Sequence, residues 1–332
     1  MPRAEARGAS LLRARLILDG GRQALGFDGM ENHPVPKKIL LFSLFFSFII
    51  LARPLHAQKT RVLQNNEMIV HFEEPLQVAA EEAIVIYTGV RKGLEKALEW
   101  RVDFRPTVLL IKDSQTFQRI SGRDLIVAFA VSERNLIVID YSKMKVHPFT
   151  MEITLKHELC HLLLHHHIKR ENLPRWLDEG ISQWVSGGIA EIIMNQKRSF
   201  LNEAVLKGRY ISIRALMERF PRDRESLFLA YEESKSLVEY IIANFGRNGL
   251  LAVLTHLRDG DNPDVAFLKG LSISLEKLEK EWQNHLKKRI TWITTLINYL
   301  YEILFFLGAL IMIYGFIRVW IKKRRYRDED ED

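Results

Sequence analysis

The sequence predicts an α+β protein. It has a small mixed N-terminal sheet with a helix, then a helix carrying His157-Glu158-Leu159-Cys160-His161, an all-helical C-terminal half and one C-terminal transmembrane helix. Two observations predict this class. Strand patterns come first along the chain and helical periodicity follows, without an internal repeat. The 47% hydrophobic content of the 332 residues is ordinary, but its excess lies in one segment near each end.

Taken in order, "NEMIVHFEE" (66–74) reads as a strand. Residues 76–99 read as a long amphipathic helix, with Leu76, Ala80, Ala83, Ile84, Tyr87, Val90, Leu94 and Leu98 near helical spacing. "RPTVLLIKD" (105–113) is a strand opened by Pro106, and "SQTFQRI" a short helix with Ser114 as its cap. "LIVAFAVSERNLIVIDYS" (125–142) reads as a β-hairpin turning at Ser132 to Asn135. Its second strand, 136–141, is either an internal strand or an edge able to pair with an extended substrate. An amphipathic helix follows over about 150–168. Pro174 opens another, which ends at Gly187-Gly188. From about 195 to 290 the pattern is helical throughout, broken at "FPRD", "FGRNG" and "RDGDNPD".

The two apolar segments set the domain limits. Lys37 and Lys38, the uncharged run Ile39 to Ala52 and the small residue Ala57 follow the three-part plan of a secretory signal peptide. An uncleaved anchor is the rival reading, although the run is short for a span. Met30 is a natural start, so residues 1–29 are expected to be an upstream extension and 30–57 the signal peptide. An Arg-rich transit peptide fits the following apolar run poorly. Residues 297–321 are long enough to cross a bilayer, with Glu302 and Arg318 near the ends and Tyr299, Tyr301 and Trp320 suited to the interfaces. Lys322, Lys323, Arg324, Arg325 and Arg327 follow, which puts the tail 322–332 in the cytoplasm and the body, 58–291, outside. The expected location is the inner membrane, single-pass, with the domain extracytoplasmic and the bilayer engaged through the C-terminal span.

Formal net charge is +7, but residues 58–291 carry 34 basic and 31 acidic side chains. A nearly neutral body gives no reason to expect a nucleic-acid partner. The single cysteine, Cys160, excludes an internal disulfide, so the exported domain must be held by its core or by a metal.

Five of eleven histidines fall in "LKHELCHLLLHHH" (155–167). His157 and His161 stand one helical turn apart on the same face, so both imidazoles can converge on one ion. Glu158 lies about 100° further round and can reach a water there without being a ligand. Tetrahedral zinc in a catalytic site takes a third protein ligand. "RWLDEGISQW" offers Glu179, on the next helix, with Asp178 as its rival. Cys160 reads as a small buried residue, and His165, His166 and His167 as decoration of the helix C-terminus, where partial negative charge favours them. Gln183, one turn after Glu179, is a candidate support of the site, and Trp176 and Trp184 are candidate core.

Together, "LKHELCHLLLHH…LPRWLDEGISQWVS" resembles the gluzincin metallopeptidases, in particular the bacterial peptidase MA-like domains, over about residues 66–290. It is similar, more distantly, to the aminopeptidase N and leukotriene A4 hydrolase family. The resemblance implies Zn²⁺ held by His157, His161 and Glu179, Glu158 as general base, and a protein or peptide substrate. Those aminopeptidases have a transition-state tyrosine in a Tyr-Glu-Lys-Gly stretch. Tyr231-Glu232-Glu233-Ser234 resembles it but lacks Lys-Gly, and Tyr240 is the runner-up. "GMEN" (29–32) looks like their exopeptidase signature but precedes the signal peptide, and 58–150 holds no equivalent, which points to endopeptidase or unusual specificity over a standard aminopeptidase. The expected function is a membrane-anchored zinc metallopeptidase. The alternative is an inactive binding module that keeps the fold.

Overall fold

The computed structural model describes residues 60–144, 146, 148–188 and 199–329, with backbone only for 290–298 and 324–329. The expected extension 1–29 and signal peptide 30–57 lie outside the described residues.

A five-stranded mixed sheet forms the N-terminal part. Its strands are β1 (Thr60–Gln64), β2 (Ile69–Glu73), β3 (Thr107–Ile111), β4 (Ala128–Val131) and β5 (Leu136–Asp140), in the order β1-β2-β3-β5-β4. β2, β3 and β5 run parallel, and β1 and β4 are antiparallel edges. The β-hairpin forms as expected, turning through Ser132–Arg134, with Asn135 in the left-handed region (φ 47°). β5 lies between β3 and β4, so it is an internal strand and cannot add a substrate strand; β4 is the edge on that side. This explains why "LIVID" is buried at every position: a strand covered on both faces reads as continuously apolar. β1 was not foreseen, because Thr60 to Leu63 face solvent largely or in part and show no period-two apolar pattern.

The helix α1 (Gln77–Leu98) connects β2 to β3 and buries Ala80, Ala83, Tyr87, Val90, Leu94 and Leu98 in the main core. The short helix α2 (Ser114–Ser121) is capped by Asp113, whose side chain accepts from Thr116 N, rather than by Ser114. Ser114 Oγ donates instead to Asp140 Oδ2 at 2.5 Å. The helix α3 (Met151–His167) is capped by Thr150. The sequence suggests an amphipathic helix, but Leu155, Leu159, Leu162, Leu163 and Leu164 bury it on every side. A helix apolar all round belongs inside the protein. It lies between α1 and the next helix, α4 (Arg175–Ser186).

The helices α5 (Phe200–Lys207), α6 (Arg224–Arg258), α7 (Pro263–Leu271) and α8 (Leu275–Glu329) complete the chain. The three expected breaks are present: Asp223 caps α6, Gly246 (φ 71°) kinks it within "FGRNG", and Asn262 caps α7. Residues 208–219 depart from expectation by forming turns and irregular chain rather than helix. Their backbone groups are committed elsewhere. Ile211 N and Ile213 N donate to Glu233 and Glu279, while Met217 O and Leu216 O accept from Arg175 N and Trp176 N. The loop thereby caps α4, whose N-cap residue, Pro174, offers no side-chain hydrogen bond.

Among the described residues, two helices are long and apolar enough to cross a membrane. Arg224–Arg258 buries Leu237, Val238, Ile241, Leu250, Val253 and Leu254 in the core. Tyr299–Lys323 is the opposite case, an apolar stretch close to the expected 297–321 with its large side chains exposed.

Two consequences are measurable. A Cβ on Gly180 would meet Ser234 O at 2.4 Å and Val238 Cγ2 at 2.7 Å. G180A should therefore push α4 off α6 and cost about 1–3 kcal/mol in denaturant unfolding of the full chain. The second concerns Glu233, where burial pushes the carboxyl from its ordinary 4.5 up to about 8. The native state thus binds a proton that the unfolded chain gives up. This contribution to stability is full below pH 4.5 and is lost as pH rises to about 8. E233Q, which cannot ionise, should gain on the wild type in melting temperature between pH 5 and 8.

Candidate metal centre

Three buried side chains converge where α3 meets α4. His157 Nε2 and His161 Nε2 are 3.1 Å apart. Glu179 Oε2 lies 3.7 Å from the first and 3.6 Å from the second. Among the described residues these are the group of three whose ligand atoms converge, all within 4.8 Å of one another. The i, i+4 spacing on α3 aligns the two imidazoles. The turn after α3 brings α4 alongside, so that its second turn delivers Glu179. Asp178, the rival ligand, is directed elsewhere: its Oδ1 takes His161 Nδ1 at 2.6 Å and its Oδ2 takes His165 Nε2 at 3.1 Å.

The donors fit a small divalent ion. Glu179 Oε2 is buried and has no hydrogen-bond partner, an expensive state for a carboxylate oxygen in a dry site. Tetrahedral bonds of about 2.0–2.1 Å place ligand atoms roughly 3.3 Å apart, close to the spacings found. The other oxygen, Oε1, is engaged by the Arg175 guanidinium and faces Tyr231 Oη at 3.5 Å. Glu179 therefore offers one oxygen inward. Burial raises its carboxyl, but Arg175 and the two histidines outweigh that and hold it well below the usual carboxylate range. Burial likewise raises Asp178, and His161 and His165 outweigh it, leaving it far below. Burial lowers His161, while Asp178 and Glu179 outweigh it and leave it well above the ordinary histidine value.

The remaining candidates fall as follows. Glu158 is buried on α3 beside His157. Tyr231, on α6, is brought to Glu179 and packs edge-on to Phe220 at 5.0 Å. Its backbone carbonyl accepts from Gln183 Nε2 at 3.1 Å, so Gln183 braces α6 against α4. Tyr240 lies instead against His285, 5.3 Å away. Trp176 is fully buried and Trp184 packs on the core, as expected. Cys160 is buried, which pushes its thiol up to about 12. The three terminal histidines lie in the last turn of α3, as expected, and each also has a partner. His165 meets Asp178, His166 Nε2 pairs with Asp103 at 2.9 Å, and His167 packs against Trp100 at 4.7 Å.

Arg175 and the bridging role of Asp178 escaped the sequence reading. Two spacings could have found them: Arg175 stands four residues before Glu179, and His165 four after His161. Residues that far apart meet on one helix face.

No curated protein matches the chain. The family model of the peptidase MA superfamily matches residues 113–288, which spans β4, β5, the converging residues and the helices that seat them. The chain thus belongs to the peptidase MA superfamily, whose members are typically metal-dependent.

Proposed function

We propose that the chain is a zinc metallopeptidase of the gluzincin type, anchored by its C-terminal span and acting on extracytoplasmic proteins or peptides. The observation that carries this reading is the buried Glu179 Oε2, which has no hydrogen-bond partner and faces two imidazole nitrogens. His157, His161 and Glu179 would hold the ion, since two histidines and a carboxylate suit Zn²⁺ and leave a position open. When bound, zinc supplies a Lewis acid that polarises a carbonyl and makes water acidic near neutral pH.

The rest of the chemistry belongs to the side chains. Glu158 takes a proton from the attacking water and passes it to the leaving amine as the C–N bond breaks. Tyr231 donates its hydroxyl to the oxyanion that develops on the former carbonyl. The edge strand β4, packed against α3, accepts an extended substrate by strand addition. The exposed apolar side chains of Tyr299–Lys323 suit lipid. The basic run after it favours a cytoplasmic tail and an outside domain.

The test uses the full chain in detergent, with metal content and peptide cleavage measured together. Wild type should hold one zinc and cleave peptides, and chelation should abolish both. E158Q should keep the zinc and lose about 10²–10⁴-fold in kcat. Full activity in E158Q would overturn the mechanism, and zinc without cleavage of any peptide would favour a binding module. Y231F should lower kcat by about 10²–10³-fold if the hydroxyl stabilises the oxyanion.

A further inference from the structure

We propose that Asp178 and His165 form a positioning pair that holds His161 in its ligating orientation. The proposal rests on the metal-site reading above and adds to it residues that bind no metal themselves.

The geometry is specific. Asp178 divides its carboxylate between two imidazoles of α3, with Oδ1 on His161 Nδ1 (2.6 Å) and Oδ2 on His165 Nε2 (3.1 Å). An ionised carboxylate only accepts hydrogen bonds, so both rings must donate. With Nδ1 turned to Asp178, Nε2 is the nitrogen directed at His157 and Glu179. Ser182 Oγ, 3.3 Å from the same Nδ1, closes the remaining side. Without a second anchor, Asp178 could turn about its side-chain bonds and release His161. His165 supplies that anchor from the helix that carries His161, one turn further on. Arg175 Nη1, 3.7 Å from Asp178 Oδ2, adds a third contact. Asp178 is 2% exposed, so little water competes for these bonds.

The third histidine of His157-x-x-x-His161-x-x-x-His165 would pass for a third ligand by spacing alone. Its Nε2 is spent on Asp178, and Glu179 stands with the other two donors instead. A partner that fixes the tautomer and ring angle of a ligating imidazole typically contributes 10–100-fold in metal affinity.

The test compares the full-length wild type with D178N, H165A and H165Q in detergent. Zinc affinity is read by competition with a chromophoric chelator, and the visible spectrum is read after Co²⁺ loading. D178N, which keeps the shape and removes the charge, should weaken zinc by about 10–100-fold. H165A should weaken it by roughly tenfold, and H165Q, whose amide can still donate to Asp178, should stay within roughly threefold of wild type. Unfolding of the metal-free chains separates positioning from simple loss of packing, because a purely structural role would lower the melting temperature and leave affinity per folded chain unchanged. Wild-type affinity in both H165A and D178N would overturn the proposal alone. So would equal loss in H165A and H165Q with an altered Co²⁺ spectrum, which would make His165 a ligand. A wild-type chain that takes up no zinc would overturn the metal-site reading and the positioning pair with it.

Discussion

A fully buried carboxylate between two imidazoles is the constraint on which the domain depends. Taking Glu179 out of water costs several kcal/mol unless charged partners surround it. Arg175 engages one oxygen, and the imidazoles of His157 and His161 face the other. That arrangement requires α3 and α4 to lie side by side. There His161 and His165 of α3 find a polar partner in Asp178 of α4, inside the protein rather than in solvent.

The helical half is largely a support for the start of α4. Pro174 leaves the first N–H groups of α4 without a side-chain cap, and the carbonyls of Leu216 and Met217 supply what is missing. The loop that carries them is held by Glu233 on α6 and Glu279 on α8. Gly180 then lets α6 approach so closely that Tyr231 reaches Glu179. Each contact alone is modest, but together they seat one carboxylate.

The same helix that closes the domain leads out of it. Leu275, Leu278, Trp282 and Leu286 of α8 are buried in the core, and the helix continues through the exposed apolar stretch Tyr299–Lys323. By composition α6 passes the same test for a span, but its apolar side is used up inside the domain. Burial, which composition does not contain, separates the two.

The sequence by itself determined the elements whose cause is local. The hairpin turn, the breaks at Asp223, Gly246 and Asn262, and the alignment of His157 with His161 follow from backbone preference and helical period. It also offered Glu179, with Asp178 as its rival, as a third-ligand candidate on the following helix. Tertiary structure decided whatever depends on partners distant in the chain. β1 exists because β2 offers it an edge, and residues 208–219 are turns and irregular chain because α4, α6 and α8 claim their backbone groups. Asp178 bridges two histidines because His165 and His161 present their rings to it together. Helical spacing places a side chain on a face; which neighbour it meets there is set by how the helices pack.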